Sequence, residues 1–168
     1  MPAYSISQIN QMTQDAFVQV LGAVFEETPA IAQQAWHHRP FADVRTLHQQ
    51  MVTIVLAMTP EQQLALIQAH PDLGSKAAMA TASVQEQTGA GLTQLTPDEY
   101  ERLRSLNQAY QQKFGFPFII AVKNHTKATI LEAFEQRLSN TVLVEREQAI
   151  AEITQIAHFR LLDLVADG

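Results

Sequence analysis

The sequence predicts an all-α fold: a single compact multi-helix domain over residues 1–168, with one extended apolar segment near residues 116–122. Two observations carry the helical part. Apolar side chains recur at three- and four-residue spacing along most of the chain, the signature of one buried face on a helix. The segments that carry them open on side chains that cap helices, three times with proline directly after: Thr28-Pro29, Thr59-Pro60 and Thr96-Pro97. A third observation marks the exception. Phe116-Pro117-Phe118-Ile119-Ile120-Ala121-Val122 is apolar and β-prone, yet no second strand is visible, and a lone strand leaves its backbone donors and acceptors unsatisfied. It reads as a buried extended segment whose polar groups find partners elsewhere, a ligand included.

Taken in order, Ile9, Met12, Ala16, Val20 and Val24 predict one amphipathic helix from about Ser7 to Glu27. Thr28 caps a short second helix that starts at Pro29 and carries Ile31 and Ala35, with Trp36 at its end, before His37-His38-Arg39-Pro40-Phe41 breaks it. Asp43 caps a third, with Val44, Leu47, Met51, Ile54, Val55 and Met58 inward. Thr59 and Gln62 form a capping box for a fourth, which buries Leu64 and Ile67 and runs into His70. Thr96-Pro97-Asp98-Glu99 opens another, with Leu103, Leu106, Tyr110 and Phe114 inward and Gly115 as its stop. Thr126 starts the next (Ile130, Leu131, Phe134, Leu138). After Ser139-Asn140 a last long helix carries Ile150, Ile153, Ala157, Leu161 and Leu164.

Composition narrows the function. At 46% hydrophobic and 17% charged the chain is globular rather than disordered. A net charge of −6 repels phosphate backbones and anionic lipid, so neither nucleic acid nor a membrane surface is an expected partner. Without cysteine there are no disulfides, thiolate nucleophiles or cysteine-bound zinc. The start lacks the basic and apolar regions of a signal peptide, the longest apolar run is too short to span a bilayer, and the end is no peroxisomal address. The expectation is a soluble cytoplasmic protein. Phosphate loops, dinucleotide glycine patterns and nucleophile-elbow serines are absent from the sequence.

Three constellations remain, each with a structural reading beside the chemical one. His70-Pro71-Asp72-Leu73-Gly74 is at least a helix stop, since histidine suits a helix C-terminus and proline and glycine end the turn. The same rigid loop would hold a histidine in one orientation, titrating near neutrality as a proton donor needs. Ser83-Val84-Gln85-Glu86-Gln87 contains a capping box, Ser83 with Glu86, and equally aims polar groups and backbone N–H donors at one spot. Arg160 borders an apolar stripe, from which it either snorkels or, if buried, pairs with an anion such as a substrate carboxylate. The remaining histidines, His37, His38, His48, His125 and His158, show no metal-ligand spacing, and no metal is expected.

The motifs in register resemble a known family. His70-Pro71-Asp72-Leu73-Gly74, Ser83…Glu86-Gln87, and Leu106-Asn107…Tyr110…Phe114-Gly115-Phe116-Pro117-Phe118-Ile119 occur in one order, followed by His125-Thr126-Lys127 and Phe134-Glu135-Gln136-Arg137-Leu138. Gly22-Ala23-Val24-Phe25-Glu26 and Arg39-Pro40-Phe41 fit the same pattern. The series is similar to the OHCU decarboxylases, which act on 2-oxo-4-hydroxy-4-carboxy-5-ureidoimidazoline (OHCU), over nearly the whole chain. The resemblance implies a cofactor-independent carboxy-lyase of purine and urate catabolism, with (S)-allantoin as product and a homodimeric assembly. It implies His70 as catalytic acid, with Glu86 oriented on His70 or on the ligand. Pro71, Ser83, Val84, Gln85, Glu86, Gln87, Phe118, Ile119, Ile120, Ala121, Val122 and Arg160 would bind substrate, the 118–122 run through its main chain. Two rival readings stay open: a related reaction such as hydrolysis one step earlier, and a catalytically inactive helical ligand-binding or adaptor module on the same scaffold.

Overall fold

The computed structural model describes residues 2–73, 86–87, 91–92 and 95–166. Most of these residues lie in helices, as the capping and periodicity predict. In chain order they are α1 (Ile6–Gln11), α2 (Gln14–Leu21), α3 (Ala30–Ala35), α4 (Val44–Leu56), α5 (Pro60–Gln68), α6 (Pro97–Phe114), α7 (Lys127–Arg137) and α8 (Val142–Leu164). The chain divides into two compact units, one formed by residues 1–69 with 154–168 and the other by residues 70–153.

In the first unit the expected long N-terminal helix is two helices. Ser5 and Gln8 close a capping box on α1 and the Thr13 hydroxyl accepts the Ala16 N–H to start α2, so Met12 between them is extended. The break frees carbonyls that distant donors then claim: Trp36 Nε1 donates to Met12 O at 2.9 Å and Arg39 Nη1 to Asn10 O at 2.9 Å. It also resets the helical phase, which is why Phe17 and Leu21 are buried where Ala16 and Val20 were expected. Thr28 does not cap α3; its hydroxyl donates to Glu26 O and the helix starts at Ala30. Asp43 caps α4 through Thr46, and Val44, Leu47, Met51, Ile54 and Val55 are buried as predicted, with Met58 half-buried beyond the helix end. Thr59 and Gln62 form the predicted box on α5, whose inward leucine is Leu66 rather than Leu64. A two-residue parallel bridge, β1 (Tyr4–Ser5) on β2 (Val165–Ala166), pairs Tyr4 with Val165.

The second unit is organised by α6, α7 and the first part of α8. Thr96 and Glu99 close the box on α6, and Gly115 ends it in the left-handed region (φ 78°), where a Cβ would be strained. Leu103, Leu106, Tyr110 and Phe114 point inward as expected. Tyr110 centres an aromatic cluster with Phe114, Phe116, Phe118 and Phe134, the last two stacked at 3.9 Å. On α7 the buried position after Phe134 belongs to Arg137, while Leu138 is only half-buried.

Candidate functional site

Among the described residues, most of the predicted site residues fall in the second unit, and His70, Pro71 and Phe118 to Ala121 lie on backbone that is neither helix nor sheet. Such backbone holds one conformation when most of its buried polar groups find partners. His70 follows the C-terminal end of α5 and is buried, 9% exposed. Three residues on, the Leu73 carbonyl accepts a hydrogen bond from Asn107 Nδ2 of α6 at 3.0 Å, which pins the loop after His70. Between them Pro71 is half-buried, and burial raises the Asp72 carboxyl above its ordinary value. Gly74, Ser83, Val84 and Gln85 lie outside the described residues. Glu86 and Gln87 form a helical turn, Glu86 half-buried and Gln87 buried. The Gln87 carbonyl accepts the Leu92 N–H at 3.0 Å across a turn in which Gly91 has φ 83°.

From Phe118 to Ala121 the chain is buried and forms neither helix nor strand, as predicted; Val122, also buried, departs from the expected extended run by opening a 3-10 helix. Two charged side chains hold the segment. Arg137 Nη1 donates to the Ile119 carbonyl at 2.6 Å, and the guanidinium lies over the Phe118 ring at 4.3 Å. Glu152 Oε1 accepts the Ala121 N–H at 3.1 Å. Ala121 and Val122 then turn into a short 3-10 helix, their carbonyls accepting from Asn124 and His125. Between the two anchors, neither the N–H nor the C=O of Ile120 hydrogen-bonds to any described residue.

The anchors are themselves fixed. Glu145, fully buried, accepts from Arg137 Nε at 2.8 Å, Tyr110 Oη at 2.6 Å and Asn140 Nδ2 at 2.9 Å. Burial, and then donation to Glu145, hold the Tyr110 hydroxyl far above its ordinary pKa, while the charge of Arg137 acts the other way. Glu152 Oε2 accepts from Gln148 Nε2 at 3.3 Å. The sequence assigned no site role to Glu145 or Glu152, nor to Asn107 and Arg137, which entered only as letters of the family motifs. The available signal was charge on an apolar stripe: Glu145, Ala149, Glu152 and Ile156 share one face of α8, and all are buried.

Arg160 belongs to the first unit. It is buried and pairs with an anion of the protein, Glu26 Oε2, at 3.2 Å from Nη1, which also lies 3.4 Å from the carbonyls of Ala23 and Val24. The snorkelling alternative therefore does not describe it. His37 and His38 are exposed as expected, and no group of three metal-ligating side chains occurs among the described residues.

A helical scaffold that keeps a histidine buried on a pinned loop, and leaves the main-chain groups of a buried Ile120 without a partner among the described residues, suits a small-molecule enzyme domain. Comparison with known proteins makes the class specific. The family model for OHCU decarboxylase matches residues 10–162, and the chain belongs to that family. A 2-oxo-4-hydroxy-4-carboxy-5-ureidoimidazoline decarboxylase of Halalkalicoccus jeotgali is 39% identical over 164 residues, covering 98% of this chain and 93% of the relative. The uric acid degradation bifunctional protein PucL of Bacillus subtilis is 42% identical over 164 residues, but the match spans only 33% of that longer protein. Among solved structures, an (S)-allantoin synthase superposes with a TM-score of 0.76 at 29% identity, over 95% of this chain and 53% of that one.

Proposed function

We propose that the chain decarboxylates OHCU to (S)-allantoin in urate degradation, as a carboxy-lyase. The carrying observation is the family match over residues 10–162, matched by relatives of similar length such as the Halalkalicoccus protein. The chemistry asks little of a cofactor. When the bond from ring carbon to carboxylate breaks, its electron pair forms a ring C=C bond and displaces the adjacent C=N electrons onto nitrogen, which takes a proton. The resulting enol becomes a carbonyl as the neighbouring ring carbon takes a proton on one face. The substrate is its own electron sink, and the protein needs to orient the carboxylate, stabilise charge on the ring and deliver that proton.

His70 is the proposed acid: its burial and the pinned loop favour delivery to one face. Glu86 acts with it, and Pro71, Ser83, Val84, Gln85, Glu86 and Gln87 bind substrate. Phe118, Ile119, Ile120, Ala121 and Val122 bind through main-chain groups, a reading supported by the N–H and C=O of Ile120, unpaired among the described residues. Arg160 is assigned to substrate binding by its family position, with Glu26 holding its Nη1. We take residues 1–168 as one functional domain, working without metal or cofactor as a cytoplasmic homodimer. No helix among the described residues is long and apolar enough to cross a membrane.

The test is a direct assay with freshly generated OHCU, following CO2 release and the optical activity of the allantoin formed. His70→Asn is expected to keep the fold and lose about 10²–10⁴-fold in kcat, the usual contribution of a positioned general acid. A near-wild-type rate for this variant refutes the role of His70; no acceleration by the wild-type chain refutes the function. Prolonged chelation leaves the rate unchanged, and light scattering in solution reads the dimer.

A further inference from the structure

We propose that Glu152 and Arg137 are positioning residues for substrate binding. Gripping the backbone on either side of Ile120, they present its N–H and C=O to the ligand. The inference rests on the reading that the 118–122 main chain binds substrate, and goes beyond it by naming what makes that main chain a binding surface.

The geometry is specific. A buried extended segment with no neighbouring strand would ordinarily lose its shape, or turn its polar groups toward any partner within reach. Here the Ile119 carbonyl is occupied by Arg137 Nη1 at 2.6 Å, and the Ala121 N–H by Glu152 Oε1 at 3.1 Å. Both residues are buried, 9% and 7% exposed, so bulk water does not screen or replace them. Arg137 is fixed by Glu145 through Nε at 2.8 Å and by stacking on Phe118; Glu152 is fixed by Gln148 at 3.3 Å. Only the peptide groups of Ile120 stay unpartnered between the two anchors, among the described residues. One N–H donor and one C=O acceptor at fixed spacing suit a cyclic ureide, whose ring carries N–H and C=O groups side by side. Neither anchor need touch the substrate, because each acts through the peptide unit it holds.

Two conservative substitutions separate this role from a general need for charge or packing. Glu152→Gln keeps the length and an oxygen acceptor but removes the charge. Glu152→Asp keeps the charge but withdraws the acceptor by about 1.5 Å, one C–C bond. The grip predicts that Gln stays within about threefold of wild type, while Asp raises KM for OHCU about tenfold or more with a smaller change in kcat, since misplacing a binding group by an ångström costs this much. Amide NMR with (S)-allantoin as the probe follows the same variants. In the wild type the Ile120 amide resonance should move on titration, and in Glu152→Asp it should move less at equal saturation. A purely structural role would lower the melting temperature of Glu152→Asp and leave KM and the Ile120 response untouched, which overturns the proposal. The reverse ranking, Gln impaired and Asp normal, also overturns it in favour of charge. If the wild-type amides from 118 to 122 ignore the ligand, the main-chain binding reading itself falls. If they respond and Glu152→Asp binds normally, only the positioning role does.

Discussion

Tyr110→Phe removes one oxygen atom from the second unit, and its cost follows from what surrounds that atom. Tyr110 and Glu145 are both fully buried, and the hydroxyl donates to Glu145 Oε1 at 2.6 Å. The ring keeps its contacts with Phe114, Phe116, Phe118 and Phe134, so no cavity larger than the oxygen opens. What is lost is one hydrogen bond to a charged acceptor, about 1.5–3 kcal/mol. The loss is no greater because Glu145 retains Arg137 Nε at 2.8 Å and Asn140 at 2.9 Å, so its charge is not left unpaired. Taking about 2 kcal/mol, a chain of this length should melt about 4–8 °C lower. Glu145→Ala, which strands the Arg137 guanidinium, should cost about 3–5 kcal/mol, the range for breaking a buried pair. Thermal and urea melts of both variants are the assay. A Tyr110→Phe shift below about 1 °C would refute the reasoning, since a drop that small corresponds to well under 1 kcal/mol.

Two further outcomes are expected. Gly115→Ala isolates a backbone term, because nothing lies within 4 Å of the added Cβ while φ stays at +78°; it should cost about 1–2 kcal/mol, with Gly115→Asn closer to wild type in the same melt. His48 is half-buried with Nε2 at 2.8 Å from the Thr154 carbonyl and its ring 4.8 Å from His158. Its pKa is held below 6.5, first by burial and, against the Thr154 contact, by the neighbouring His158. The unfolded chain therefore binds this proton more readily, so the contribution of His48 to stability is complete above about pH 6.5 and lost as pH falls through the lower folded value. The melting temperature of His48→Gln should fall less steeply than wild type between about pH 7 and pH 5, and an equal slope would remove His48 from the acid sensitivity.

How much of this was legible in the sequence depends on the range of the interactions involved. The starts of α4, α5, α6 and α7 were readable because Asp43, Thr59, Thr96 and Thr126 act on backbone three residues away. The stop at Gly115 was readable for the same reason. The break between α1 and α2 carries the same local signal, Thr13 acting on Ala16, and only the donors that take up the freed carbonyls, Trp36 and Arg39, come from more than twenty residues away. Apolar periodicity ran on through Met12 and hid it. The extended segment was visible as a problem of unpaired backbone, but its solution was not: Arg137 and Glu152 lie 18 and 31 residues beyond the groups they bind. Arg160 was legible as a residue needing an anion if buried; that Glu26 is one such anion required the fold. His70 and Glu86 were found by motif and by resemblance rather than by any spacing that demanded them.

The buried charges of both units share a task. Arg137 and Glu152 bind main-chain groups of the extended segment, and Arg160 lies against the carbonyls of Ala23 and Val24, past the end of α2. A buried ion pair adds little net stability, because desolvating two charges offsets most of their attraction. An unmet buried backbone carbonyl or N–H, however, costs about 1–3 kcal/mol. The pairs are therefore better understood through the backbone they satisfy than through their own attraction. They allow non-helical chain to run through an apolar interior in one conformation, where helix or sheet would consume every peptide group. On the proposed reading that is what substrate binding requires at Ile120: a peptide group both rigid and unspent. Replacing Arg137 and Glu145 together by well-packed apolar residues should then leave stability near wild type while weakening OHCU binding, because the core would survive and the held carbonyl of Ile119 would not. Retained binding in such a variant, with the fold intact by melting, would show that the aromatic packing around Phe118 suffices to shape the segment and that the charges are dispensable to the site.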